Sequence, residues 1–167
     1  GGDRPAAGID HGVAVGELMK AAGFTHGGFY NHFPSKEALA AEALEAAFLE
    51  MDDQRSKASG LEELVAGYLS DAARRAPGRA CPTAALGGDA ARQPEPVKQV
   101  FESGLERIIS SLEARLPEGP DRRARAISLF AGMAGAVIVA RALPDESPLA
   151  DEVLAAERAA ALSAAQP

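Results

Sequence analysis

The chain of 167 residues has no tryptophan, one cysteine and three histidines. A single thiol excludes an internal disulfide framework. The histidines, His11, His26 and His32, have no cysteine pair or converging carboxylates beside them, and His26 and His32 are too far apart to share one face of a short helix. No metal site and no cofactor is therefore expected. Aromatic residues make up only 5% of the chain. No apolar run reaches the length of about 18 residues that a membrane span requires, and no leader peptide is visible, so a cytoplasmic protein without a membrane partner is expected. Positive charge is also scarce. The formal net charge is -7, which argues against nonspecific coating of nucleic acid but leaves room for a small, local DNA footprint. No nucleophile–base pair, paired acid constellation or phosphate loop stands out, so no catalytic residues are assigned and the chain is not expected to be an enzyme.

What is present points to helices. The composition is 47% hydrophobic and rich in Ala and Leu, and neither a strand-like alternation nor an internal repeat appears. The length suffices for one or two small domains with a real core. The informative stretch is Gly23-Phe24-Thr25-His26-Gly27-Gly28-Phe29-Tyr30-Asn31-His32-Phe33-Pro34-Ser35-Lys36. Thr25 is placed to cap a very short helix, Phe29 and Phe33 share one face of it, Pro34 stops it, and Ser35 is placed to cap the next. Residues 15–22 form a preceding helix with Leu18 and Met19 turned inward. Two helices in this arrangement make a helix-turn-helix, whose second helix enters the major groove of DNA.

The run from Leu18 and Met19 through Ala21-Ala22-Gly23-Phe24-Thr25, Gly27, Phe29-Tyr30, His32-Phe33 and Ser35-Lys36-Glu37 to Leu39 resembles the DNA-binding signature of the TetR family of bacterial transcriptional regulators. The resemblance implies an all-α protein, with a helix-turn-helix head over residues 1–46 and a helical-bundle regulatory and dimerisation domain over residues 47–167. It also implies partners: double-stranded operator DNA, a small-molecule effector and a second copy of the chain. The first helix of such a head is missing or divergent here, since Gly1, Gly2, Pro5, Gly8 and Gly12 interrupt the segment that would form it. Ala14 stands where the family usually places a Ser or Thr cap.

Beyond the head, helices are expected over 36–57, 61–76, 83–92, 95–116, 121–143 and 148–164. The second should turn Leu61, Leu64, Val65, Tyr68, Leu69 and Ala72 inward, and Gly87 with Gly88 should interrupt the third. From Ile127 to Ala140 the chain is apolar on most sides of a helix, which must then be covered on most sides. A twofold homodimer through the helices at about 121–143 and 148–164 meets that need, as it does in TetR-like proteins. The competing arrangement is the central helix of a monomer.

Candidate DNA-binding residues are Thr25, His26, Gly27, Tyr30, Asn31, His32 and Lys36. Lys36 and the Tyr30 hydroxyl suit phosphate contacts. Asn31 is a candidate base reader, and the resemblance assigns Thr25 and His32 to the DNA backbone or bases. His26 replaces the Lys or Arg found in many family members, and Gly27 permits close approach. Phe24, Phe29 and Phe33 are read as core. The candidate ligand-binding residues, which rest on family architecture and on apolar faces, are Tyr68, Leu86, Phe101, Leu105, Ile108, Phe130, Met133 and Val137. Their character suggests a small apolar or aromatic effector. Cys81 is either a small buried hydrophobe or a thiol sensor with Arg79 nearby. The functional expectation is a ligand-responsive repressor released from a palindromic operator by its effector. The alternative is an effector- or protein-binding helical module whose DNA binding is impaired or lost.

Overall fold

Pro34 and Ser35 bring the chain into its first described helix. The Ser35 side-chain oxygen accepts from the Ala38 backbone N–H at 3.1 Å, and its carbonyl accepts from Leu39 N–H at 3.2 Å. Ser35 is thus the cap that the sequence suggests. The computed structural model describes residues 33–76 and 81–164. The chain divides into a unit of residues 1–39 and one of residues 40–167. Seven helices lie among the described residues: α1 (Lys36–Ser56), α2 (Leu61–Tyr68), α3 (Asp71–Arg75), α4 (Pro82–Ala90), α5 (Glu95–Glu113), α6 (Arg122–Arg141) and α7 (Pro148–Ala164). The architecture is an all-α bundle.

The core forms where apolar stripes meet. Leu44 and Phe48 of α1 are buried, with Met51 packed at their margin. The Phe48 ring meets Phe101 of α5 edge-on, with centroids 5.9 Å apart, and lies directly over Gly104. Val97, Ile108, Ile109 and Leu112 carry the stripe of α5 inward. On α6 the buried positions are Ala126, Leu129, Phe130, Met133, Ala134, Ala136, Val137 and Ala140. Against it lies α7, through Ala150, Leu154 and Ala161. Full burial of a side chain such as Phe48 contributes about 1.5–3 kcal/mol.

Two local expectations change. The helix expected over 61–76 is two helices, because Leu69 leaves helical geometry and Ser70 is extended, with φ -94° and ψ 155°. Ser70 stabilises the break from both sides. Its Oγ accepts from Ala73 N–H at 3.0 Å and donates to the Gly67 carbonyl at 2.8 Å. The break rotates the next turn of helix, so Ala72 is exposed and Arg74 is buried. By contrast, Gly87 and Gly88 do not interrupt α4, which runs from Pro82 at its first position through to Ala90.

Arginines close the helix ends. Arg74 donates to the carbonyls of Ala140 at 2.9 Å, Pro144 at 2.7 Å and Asp145 at 2.9 Å, just where α6 has run out of N–H partners. Arg158 of α7 donates to the Leu69 carbonyl, at the end of α2, at 2.6 Å. Cations at these termini also complement the negative end of each helix dipole.

The bundle leaves part of α6 and α7 uncovered. Ile127, Ile138, Val139 and Leu149 are between 44% and 53% exposed. By length and composition α6 is the one helix among the described residues that is apolar enough to cross a membrane, and 44% of that window is buried inside the protein.

Candidate functional site: a cavity among α1, α2, α4 and α6

The carboxyl end of α1 and the residues after it carry Met51, Arg55, Lys57 and Ala58, which form one wall of a cavity of about 340 Å³. From α2 come Glu63, Leu64, Gly67 and Tyr68. Cys81 and Ala84 enter from the start of α4, and Val137 and Arg141 from α6. This size falls at the lower end of the range for small-molecule sites. A tight void of about 10 Å³ shares Met51, Arg55, Leu64, Tyr68 and Cys81 with it and is closed by Ile108, Leu112, Phe130 and Met133.

The sequence-derived ligand residues divide accordingly. Tyr68 and Val137 line the cavity, while Tyr68, Ile108, Phe130 and Met133 line the void. The Tyr68 ring meets Phe130 edge-on at 6.3 Å. Phe101 and Leu105 pack against the core, and Leu86 is 43% exposed. None of these three lines the cavity. Of the DNA-binding candidates, Lys36 is exposed at the first residue of α1. Thr25, His26, Gly27, Tyr30, Asn31 and His32 lie outside the described residues.

The polar groups of the cavity were not legible as site residues. Arg55 is buried. Its Nη2 pairs with Asp52, whose other oxygen accepts from Arg107 Nε at 2.7 Å, and Arg107 also reaches Glu45 at 3.1 Å. The Nε and Nη1 of Arg55 have no hydrogen-bond partner. Burial, the largest influence, lowers the pKa of this guanidinium, while Asp52 opposes the shift. Arg141 donates Nε to the Arg74 carbonyl at 3.2 Å and Nη2 to the Ala73 carbonyl at 2.9 Å, and its buried Nη1 has no partner. The Tyr68 hydroxyl is likewise buried, with the Cys81 thiol as its neighbour. Burial raises its pKa, foremost, and the neighbouring Cys81 adds to that, while Arg141 and Arg55 oppose it. Cys81 itself is buried at 2% exposure. Among the described residues, no three His, Cys, Asp or Glu side chains gather as a metal-ion site.

Residues 10–43 match the family model of bacterial regulatory proteins, tetR family. Among solved structures, the chain is similar to a crystal structure of E. coli NemR in its reduced form, with 20% sequence identity and a TM-score of 0.72 over 91% of this chain and 86% of that one. That likeness is one of fold. No match is found among curated proteins. Residues 10–43 thus carry the signature of the bacterial regulatory proteins of the tetR family, and the residues behind them fold as an all-α bundle.

Proposed function

We propose that this transcriptional regulator is a ligand-responsive repressor of the cytoplasm, with a DNA-binding head over residues 1–46 and an effector-binding, dimerising body over residues 47–167. The observation that carries the reading is the cavity of about 340 Å³ in a body that follows a TetR-type head. The effector has a largely apolar or aromatic body, seated against Met51, Leu64, Tyr68 and Val137, with Ile108, Phe130 and Met133 beneath. In the head, Thr25, His26, Gly27, Tyr30, Asn31, His32 and Lys36 meet a palindromic operator. The uncovered Ile127, Ile138, Val139 and Leu149 support a homodimer through α6 and α7, since twofold proteins read twofold sites. Release requires that the effector bind the DNA-free state more tightly than the DNA-bound state.

The test is selection from a randomised duplex-DNA pool at about 0.15 M salt, near physiological ionic strength. A palindrome should be enriched, and Tyr30→Phe or Lys36→Ala should weaken binding across all selected sequences, as phosphate contacts do. If no sequence is enriched, the repressor reading fails.

A further inference from the structure

The cavity combines an apolar wall with an unusual polar end. Two arginines that line it, on different helices, carry buried donors without a hydrogen-bond partner, Nε and Nη1 of Arg55 and Nη1 of Arg141, and the hydroxyl of Tyr68, a third lining residue, is buried beside Cys81. A buried donor without an acceptor costs about 1–3 kcal/mol, and more when it is charged. Three such atoms on residues that line one cavity describe a place where an acceptor is missing. The side chain of Arg55 is only 9% exposed, so bulk water does not solvate it freely.

The charge balance gives the acceptor its sign. Arg55 shares Asp52 with Arg107. Arg141 has only backbone carbonyls as partners and no ion pair among the described residues. The remaining charged side chains of the lining are Lys57, paired with the exposed Asp53, and Glu63, which is turned to Ser59 by two hydrogen bonds of 2.7 Å. A protein of net charge -7 thus lines this cavity with two arginines, Arg55 buried and Arg141 half-buried. Planar guanidinium groups match a carboxylate, and a phenolic hydroxyl donates to the same group.

We infer that the cavity binds a small organic carboxylate, its head held by Arg141, Arg55 and the Tyr68 hydroxyl and its apolar body lying along Met51, Leu64 and Val137. This rests on the effector reading above and specifies the ligand class. A carboxylate is favoured over a phosphate ester because Arg55 already shares one carboxylate, which leaves a compact polar end suited to a single charge, beside an apolar wall of Met51, Leu64 and Val137.

The test is calorimetric titration of the full chain, without DNA, with hexanoate, octanoate, benzoate and phenylacetate, each beside its neutral amide, and with octyl phosphate. At least one carboxylate should bind, with its amide about tenfold weaker or worse, the loss expected when a charge-assisted hydrogen bond is removed. Tyr68→Phe should weaken that carboxylate several-fold while the free protein keeps its fold, because the ring and its edge-on contact with Phe130 remain. Arg141→Gln should abolish the preference for carboxylate over amide. If that variant does not fold, Tyr68→Phe carries the test. Equal binding of acids and amides, tighter binding of octyl phosphate, unchanged affinity in Tyr68→Phe, or no binding by any of the four acids would each overturn the assignment. The repressor reading fails separately, in the DNA selection, because this titration contains no DNA.

Discussion

Arg141 donates its Nε to the backbone carbonyl of Arg74 at 3.2 Å, while Arg74 donates to carbonyls at the end of the helix that carries Arg141. Each arginine closes the other's helix. Arg74 is buried at 4% exposure, so its acceptors have no ready water to replace it. Arg74→Ala should destabilise the protein by about 2–4 kcal/mol in denaturant titration. Arg74→Lys should recover only part of that, since one ammonium cannot reproduce the planar fork.

Gly104 is fixed by the Phe48 ring, which occupies the space that a β-carbon would need. Gly104→Ala should cost about 1–3 kcal/mol through overpacking. Adding Phe48→Leu should be less harmful than the sum of the two single changes, which a double-mutant cycle would measure. Gly88, in the middle of α4 with open space around it, should behave in the opposite way. Gly88→Ala should stabilise by up to about 1 kcal/mol.

The carboxyl of Glu157 lies against Gly132 of α6, and burial raises its pKa above the ordinary 4.5. A raised carboxyl pKa means that the folded state holds its proton more tightly than the unfolded chain. Stability is therefore lost as pH rises from 4.5 through the folded value, and the penalty is fully present at neutral pH. Glu157→Gln should raise the melting temperature at pH 7, and that gain should vanish when the melts are repeated below pH 4.5.

Ile138 is 49% exposed, yet it sits one residue from the buried Val137. Ile138→Glu should leave the melting temperature at high dilution nearly unchanged. In sedimentation it should weaken self-association by at least about tenfold, as expected for a charge placed in a desolvated interface.

Much of the bundle was legible because helical spacing of apolar residues is a local property. The stripe Val97, Ile108, Ile109, Leu112 shows this, and so does the nearly continuous apolar run of α6. The break at Leu69 and Ser70 was hidden because Leu64, Val65 and Leu69 keep helical spacing across it. A serine inside such a run reads as an ordinary helix residue until its hydroxyl is seen to accept from Ala73. The cavity was half legible. Tyr68 and Val137 announce themselves as apolar-face residues, whereas Arg55 comes soon after two aspartates in a run that reads as solvated surface. Arg141 does interrupt an apolar run, which was a usable signal. The burial of Arg74 depends on acceptors 66 to 71 positions away and has no local signature at all.

That separation also sets an order of events as the chain emerges from the ribosome. When synthesis has reached the end of α5, Arg74 has none of the carbonyls that will receive it, and Leu69 lacks Arg158. Seating α3 at that moment would bury a cation with Asp71 as its one partner, so this part of the body is completed only as the chain grows. The closing step waits for residues 140–158, and a ribosome that stalls before Ala140 leaves a product open to chaperones and proteases.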